Sequence, residues 1–346
     1  FDKKWWWYWY LAYGFNDQKF KGKAELFYLP NKHPRRYWYA SYINDLDHGQ
    51  NYYGVLSQDN LFALAIRKQN VPIKFIKLEE TRFEFFNEHN SGFSELPAIA
   101  YKKYTPLQNL PSKDSFPTKN GGEPFTSFGV SLRLRFAYLE KFLENQFFRL
   151  SLGSPYPIGE VTITQGIPGV LKSSYTYTKI AADVSDFIKI PPLGTISYMV
   201  FAGKTFGTAP YVFLNIAPGN ELYYYNKNAF NMMNRYEFIQ DKYLGINFEH
   251  NIGNGLFRLF PKLRFRQFWT VKTLWGGLSE ANKELNFLPG TAFQSLDGET
   301  YMEIGTGVDN ILRVLRVDFI WRLLPTRELN ENTKRFGVFG SIRVNF

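Results

Sequence analysis

Apolar and polar residues alternate with a period of two through most of this chain, in about fourteen runs bounded by turn residues. In KFKGKAELFYL, Lys19, Lys21, Lys23 and Glu25 interleave with Phe20, Gly22, Ala24, Leu26 and Tyr28. In FTSFGVSLRLRFAY, Phe128, Val130, Leu132, Leu134 and Phe136 oppose Gly129, Ser131, Arg133 and Arg135. The last run, RFGVFGSIRVNF, sets Phe336, Val338, Gly340, Ile342, Val344 and Phe346 against the mostly polar Arg335, Gly337, Phe339, Ser341, Arg343 and Asn345. Successive side chains of a strand point to opposite faces, so each run predicts a strand with one face in an apolar medium and one in a polar medium. Most runs reach the roughly 9 to 11 residues that a tilted membrane strand needs.

The connections choose the medium. NKHPRR, NSG, the LEKFLENQ link, PPLG, HNIGNG and VDN read as short turns, and the links between them are mostly longer. Among the long ones are the polar stretch from His48 to Pro72, in which SQDNLFALAIRK suggests a short helix, and the aromatic segment from Thr208 to Asn234. Short turns at one end and long loops at the other are how outer-membrane barrels are built, whereas a soluble sandwich has no reason to keep that parity. The expected fold is all-β: a transmembrane antiparallel β-barrel filling residues 1–346, with about fourteen strands visible. Placing Phe346 at the periplasmic end fixes the direction of every strand.

Composition changes the picture in three ways. The 34 Phe, 23 Tyr and 8 Trp bring aromatics to 19% while the hydrophobic fraction stays at 45%, so the excess is in rings, as aromatic girdles demand. No run approaches the roughly 18 apolar residues of a membrane helix. The absence of cysteine excludes a disulfide framework and a thiolate zinc site. The net charge of +10 admits nucleic acid, anionic lipid or lipopolysaccharide, or an acidic protein as partner, without choosing among them. FDKKWWWYWYLAYGF is strand-like from its first Trp and carries no signal peptide, as in a mature or trimmed chain.

On this phase Arg133, Arg135, Arg264, Arg266, Arg316, Asp318, Arg322 and Arg343 fall on the lumen face, since a charge facing lipid at mid-depth costs about 2 to 4 kcal/mol. One reading pairs them with Glu84, Asp318 and loop carboxylates that stiffen the interior; the other makes an anion-conducting pore. Mixed charge and the lumen aromatics Phe268 and Phe339 favour the first. Trp5, Trp7, Trp9 and Trp321 are expected at the bilayer interface, where Trp and Tyr concentrate. A stacking platform for sugars or bases is the alternative for the Trp5–Tyr10 cluster. Because Trp5, Trp6 and Trp7 are consecutive, rings fall on both faces, and part of the cluster can contact a partner or a neighbouring strand.

The segments YLAYGFNDQKFKGKAELFY, RLSLGSPYPIGEVTITQGIPGV, YTYTKIAADVSDFIKIPPLGTISYMVFAGKTFGTAPY and PGNELYYYNKNAFNMMNRYEF resemble a Bacteroidetes outer-membrane family in which a carboxypeptidase-regulatory-like domain precedes a barrel domain of unknown function. The resemblance implies an outer-membrane location and an upstream periplasmic β-sandwich. A fainter one is to BamA-like barrels, which place a loop that folds into the lumen between the fifth-last and sixth-last strands, where Thr208 to Asn234 lies, and whose strand number implies about sixteen strands in a full-length protein. The residues carried over to that loop are Pro218, Gly219, Asn220, Glu221 and Tyr223. It reads PGNELYYYN without the Arg-Gly-aromatic motif of BamA, so the insertase mechanism does not follow. Barrels of this kind also end in an aromatic strand read by the assembly machinery, which implies that Ile342, Val344 and Phe346 form the assembly signal.

No catalytic constellation emerges, and no cofactor or metal is expected. Asp45, Asp47 and His48 read as a hydrated loop, and neither Glu88–His89 nor Glu249–His250 has the second His of a helical metal motif. No G-x-S-x-G or phosphate-binding Gly loop occurs. The leading expectation is a non-enzymatic barrel in the bacterial outer membrane, a scaffold or accessory component of an assembly or export complex. Its partners would be lipid, lipopolysaccharide and other outer-membrane or periplasmic proteins, and not nucleic acid. The alternatives are a channel for an anionic solute or polypeptide, and a soluble basic β protein that binds glycans or nucleic acid.

Overall fold

The computed structural model describes residues 4–15, 18–47, 67–112, 125–255, 257, 264–288, 293–326 and 334–342. The chain begins with β1 (Trp5–Gly14), β2 (Lys19–Asn31), β3 (Arg36–Asp47), β4 (Phe75–Glu88), β5 (Phe93–Gln108) and β6 (Phe125–Phe136). A small hairpin of β7 (Lys141–Glu144) and β8 (Arg149–Gly153) precedes β9 (Ile158–Ile167), β10 (Tyr177–Lys189) and β11 (Thr195–Phe206). A long loop contains β12 (Asn215–Ile216) and β13 (Ile239–Gln240). The chain then runs through β14 (Lys242–Gly253), β15 (Arg266–Gly277), the helix α1 (Glu280–Asn286), β16 (Thr300–Ile311), β17 (Leu315–Leu324) and β18 (Phe336–Ile342).

Fourteen of these strands form one antiparallel sheet in chain order, with β7–β8 and β12–β13 as separate pairs. β1 and β18 are its two edges, and no ladder joins them among the described residues. The period-two pattern sets the faces. Val130, Leu132 and Phe136 of β6 lie on the outer face, as do Trp5, Trp7 and Trp9 of β1, at 58%, 70% and 61% exposure. On β16 and β17 every second residue is buried instead, because that inner face packs against the long loop. No helix among the described residues is long and apolar enough to cross a membrane.

The turns 32–35, 89–92, 190–194 and 312–314 cluster at one end, and the longer links lie at the other. Gly194 shows how tight the first kind is: its φ is +91°, and a Cβ there would stand 1.9 Å from the Asn251 carbonyl oxygen. Two links depart from the expected parity. LEKFLENQ is part of an excursion over residues 137–157 that builds the β7–β8 hairpin, so FFRLSLG does not continue into the β9 strand as its pattern suggested. The hairpin alternates as well as a wall strand does, and periodicity alone cannot tell them apart. The HNIGNG link runs on to residue 265, since β15 begins at Arg266.

Two further boundaries move. RYEF belongs to the long loop, which extends to Asp241, because Ile239–Gln240 pairs with Asn215–Ile216. Asp45 and Asp47 lie in β3 rather than in a loop, with Asp45 accepting the Tyr10 hydroxyl. The helix suggested for 57–68 falls mostly outside the described residues.

Candidate functional site in the barrel lumen

The interior is organised by the loop at 207–241, which folds back into the barrel. Its base carries a short 3-10 turn, Tyr211–Phe213, that sends rings outward in several directions. Phe213 stacks on Tyr177 of β10 and meets Tyr104 of β5 edge-on, while Tyr211 touches Phe125 of β6 and Phe293. With Ile76, Leu278 and Ile239 these residues make an apolar cluster across the long-loop end. α1 reinforces it, as the Asn282 side-chain oxygen accepts from Ala209 N–H at 3.0 Å and Asn286 donates to the Ala209 carbonyl.

Below the neck of β12 and β13 the loop closes on itself. Pro218 accepts a hydrogen bond from Phe230 N–H, and Asn220 N–H reaches the carbonyls of Phe230 and Met233. The side chain of Asn220, fully buried, donates to Asn231 at 2.9 Å and to the Tyr224 carbonyl at 2.7 Å. Gly219 is required for this closure, because a Cβ would sit 2.2 Å from the Asn234 carbonyl oxygen.

The loop is then tied to the wall. Glu303 of β16 accepts the N–H groups of Asn231 and Met232, each at 2.9 Å, and the Tyr301 hydroxyl at 3.1 Å. Lys272 of β15 donates to the carbonyls of Asn226 and Ala229. Arg322 of β17 pairs with Glu237 at 2.7 Å. Arg316, wholly buried, pairs with Asp318 at 2.8 Å and Glu249 at 2.9 Å, and its guanidinium lies over the rings of Phe268 and Tyr225. The loop tip finally reaches β18: Tyr225 N–H donates to the Gly340 carbonyl and Gly340 N–H to the Tyr223 carbonyl, a parallel bridge on the edge turned away from β17. Tyr223 also brings its ring beside Phe339.

A second clamp comes from the residues before β4. Arg67 pairs with Glu221 at 3.0 Å, and Lys68 donates to the carbonyls of Asn220 and Asn231. Burial pushes the Lys68 ammonium down to about 8, lowers Lys74 and raises the Glu221 carboxyl, the opposing charges only partly offsetting lost hydration.

The other candidate residues are scattered. Arg133 lies 3.9 Å from Glu160, Arg135 holds Glu140 through two bonds at 2.6 and 2.7 Å, and Arg266 pairs with Asp309 at 2.7 Å. Arg264 lies exposed in the link before β15 and is not a strand residue. Arg343, Val344 and Phe346 lie outside the described residues, and Ile342 ends β18 on its outer face. Trp321 is exposed on the outer face of β17. Glu303, Lys272, Glu237, Arg67 and Lys68 went unnamed in the sequence reading. Glu303 and Lys272 were findable, since both sit at lumen positions of period-two strands. Among the described residues no group of three or more His, Asp or Glu could hold a metal ion.

The fold is thus an integral-membrane type of antiparallel β-barrel with a loop packed inside it. BamA from Haemophilus ducreyi lacking POTRA domains 1–3 has a similar structure, at a TM-score of 0.54 and 10% identity over 93% of this chain. The chain spans 62% of that BamA chain's length, and the likeness is one of fold. The chain belongs to the family described as "Family of unknown function (DUF5686) C-terminal domain", which matches residues 1–282. No curated protein matches it.

Proposed function

We propose that this protein is a non-enzymatic barrel of the bacterial outer membrane, acting as a scaffold or accessory component of an assembly or export complex. Lipid and lipopolysaccharide surround its wall, the short-turn end faces the periplasm, and any upstream β-sandwich joins from that side. The observation that carries the reading is the loop at 207–241. It fills one side of the lumen and carries an apolar cluster across one mouth, which suits a stiff membrane body better than an open conduit. Planar-bilayer recording tests this: the intact protein is expected to show no steady conductance, and a large, stable conductance contradicts it. Purification in mild detergent is expected to bring other envelope proteins along. A barrel that always purifies alone contradicts the partner role.

A channel for an anionic solute or polypeptide is the second reading. It is supported by the charged inner face of β1–β6, where Arg133 retains 40% of its side-chain exposure. Conductance that emerges only when residues 217–238 are replaced by a short linker would favour a gated form of it.

A further inference from the structure

The β7–β8 hairpin has its faces reversed relative to an ordinary surface hairpin. From its root between β6 and β9 it leans back across the short-turn end to β1–β4. Phe148 meets Trp6 of β1 edge-on and Phe147 meets Phe27 of β2. The face carrying Glu144, Arg149 and Ser151 turns toward the barrel: Arg149 pairs with Glu88 at 2.7 Å, Glu144 lies 3.3 Å from His33, and Ser151 donates to Glu140. The ladder sets Leu143 opposite Leu150, so Leu143, Leu150 and Leu152 share the other face. All three are about three-fifths exposed.

Removing such side chains from water is favourable, and a contiguous exposed apolar face marks an interaction site. Among the described residues β7 and β8 pair only with each other, which leaves unpaired strand edges beside that face. The face continues into a cavity of about 370 Å³ lined by Leu152, Tyr156, Phe187, Met199, Asn228 and Asn247, with the infolded loop as its far wall. The side-chain oxygen of Asn247 is buried and has no hydrogen-bond partner among the described residues. Glu249 and Lys272 at the same cavity are committed to Arg316 and to loop carbonyls, and Asp186 and Lys227 on the same lining carry opposite charges, so the formal charges of the cavity cancel.

We infer that this chamber and the adjoining hairpin face bind an extended polypeptide segment with alternating apolar side chains. Such a segment supplies what the site lacks: side chains for the leucines, backbone groups for the open strand edge, and an N–H for Asn247. An acyl chain would cover the leucines and leave the amide oxygen unpaired, and a polyanion finds no uncommitted cation. The inference names a partner class within the scaffold reading, and its test is independent of conductance.

The probe is a fluorescent synthetic peptide of the sequence RFGVFGSIRVNF, titrated by anisotropy against the protein in lipid nanodiscs. Saturable binding is expected, weakened about tenfold or more by Leu150→Ser with Leu152→Ser, as loss of two apolar contacts implies. Asn247→Ser is expected to weaken it about threefold, as loss of one modest hydrogen bond implies. Leu312→Ser, at an exposed turn of the same end, should leave it unchanged. Retained heat-modifiable migration on a gel shows that each variant still forms the barrel. Equal binding to empty nanodiscs, to the double variant, or by a scrambled peptide overturns the inference, as does absence of saturation.

Discussion

The two inner walls of the barrel obey different electrostatics. On β14–β18, the charges beside the loop are buried and have definite partners: Arg316 with Asp318 and Glu249, Arg322 with Glu237, Glu303 with two backbone N–H groups. On β1–β6 the charges form ladders that keep water contact, such as Lys23–Glu25, Arg82–Glu84 and the pair of Arg133 with Glu160 of β9. The same residue types therefore do different things. Where the loop excludes water, a charge must be fully paired, and losing its partner is costly; where water remains, pairing is worth little. A lumen charge in a barrel thus says nothing by itself about conduction until its neighbours are known.

This contrast can be broken or sharpened by substitution. Arg316→Met leaves Asp318 and Glu249 uncompensated and is expected to cost about 3–5 kcal/mol, read from urea titration of the folded, heat-modifiable band. Glu303→Ala strips the acceptor from Asn231 and Met232 and should cost about 2–4 kcal/mol by the same titration, with faster proteolysis of the loop as the companion readout. Gly219→Ala tests whether the loop packs as a core: its overpacked contact should cost about 1–3 kcal/mol. Arg133→Met, the counterpart on the wet wall, is expected to change stability by less than about 1 kcal/mol. If Arg133→Met and Arg316→Met prove equal, the distinction between the walls fails.

A pH experiment probes the clamp. With its folded pKa lowered to about 8, Lys68 binds fewer protons in the docked loop than in the unfolded chain between about 8 and 10.5. Its contribution to stability therefore rises with pH across that window and is unfavourable below it. Lys68→Met should flatten the rise in unfolding temperature between pH 7.5 and 9.5 relative to wild type, the pH values being those of the proposed assay, chosen to bracket roughly the linkage window. An unchanged slope would place Lys68 in water.

The strands were legible because a wall with one apolar face must alternate, and the central residues of β2 and β6 do so, while β18 departs only at the lumen-facing Phe339. The place of the infolded loop was legible only through the resemblance to BamA-like barrels, which set such a loop five strands from the end. Its contacts were not. Nothing in PGNELYYYN announces that Asn220 is fully buried, or that Glu303, about eighty residues on by simple subtraction, accepts its neighbours' N–H groups. Such pairing depends on which lumen position stands opposite which loop atom, and that is fixed only by strand register and tilt. The hairpin differs for the opposite reason: its alternation is genuine, and what holds it out of the wall are contacts of Phe147 and Phe148 with Phe27 and Trp6, of Arg149 with Glu88 and of Glu144 with His33.

The central claim is that residues 207–241 are interior structure rather than a surface loop. Hydrogen exchange of the protein in nanodiscs tests it most directly. Protection of the amides of Asn220, Tyr225, Phe230, Asn231 and Met232 comparable to that of β15–β17 is the expected result. Exchange of those amides as fast as that of an exposed turn, while β15–β17 remain protected, would contradict the account.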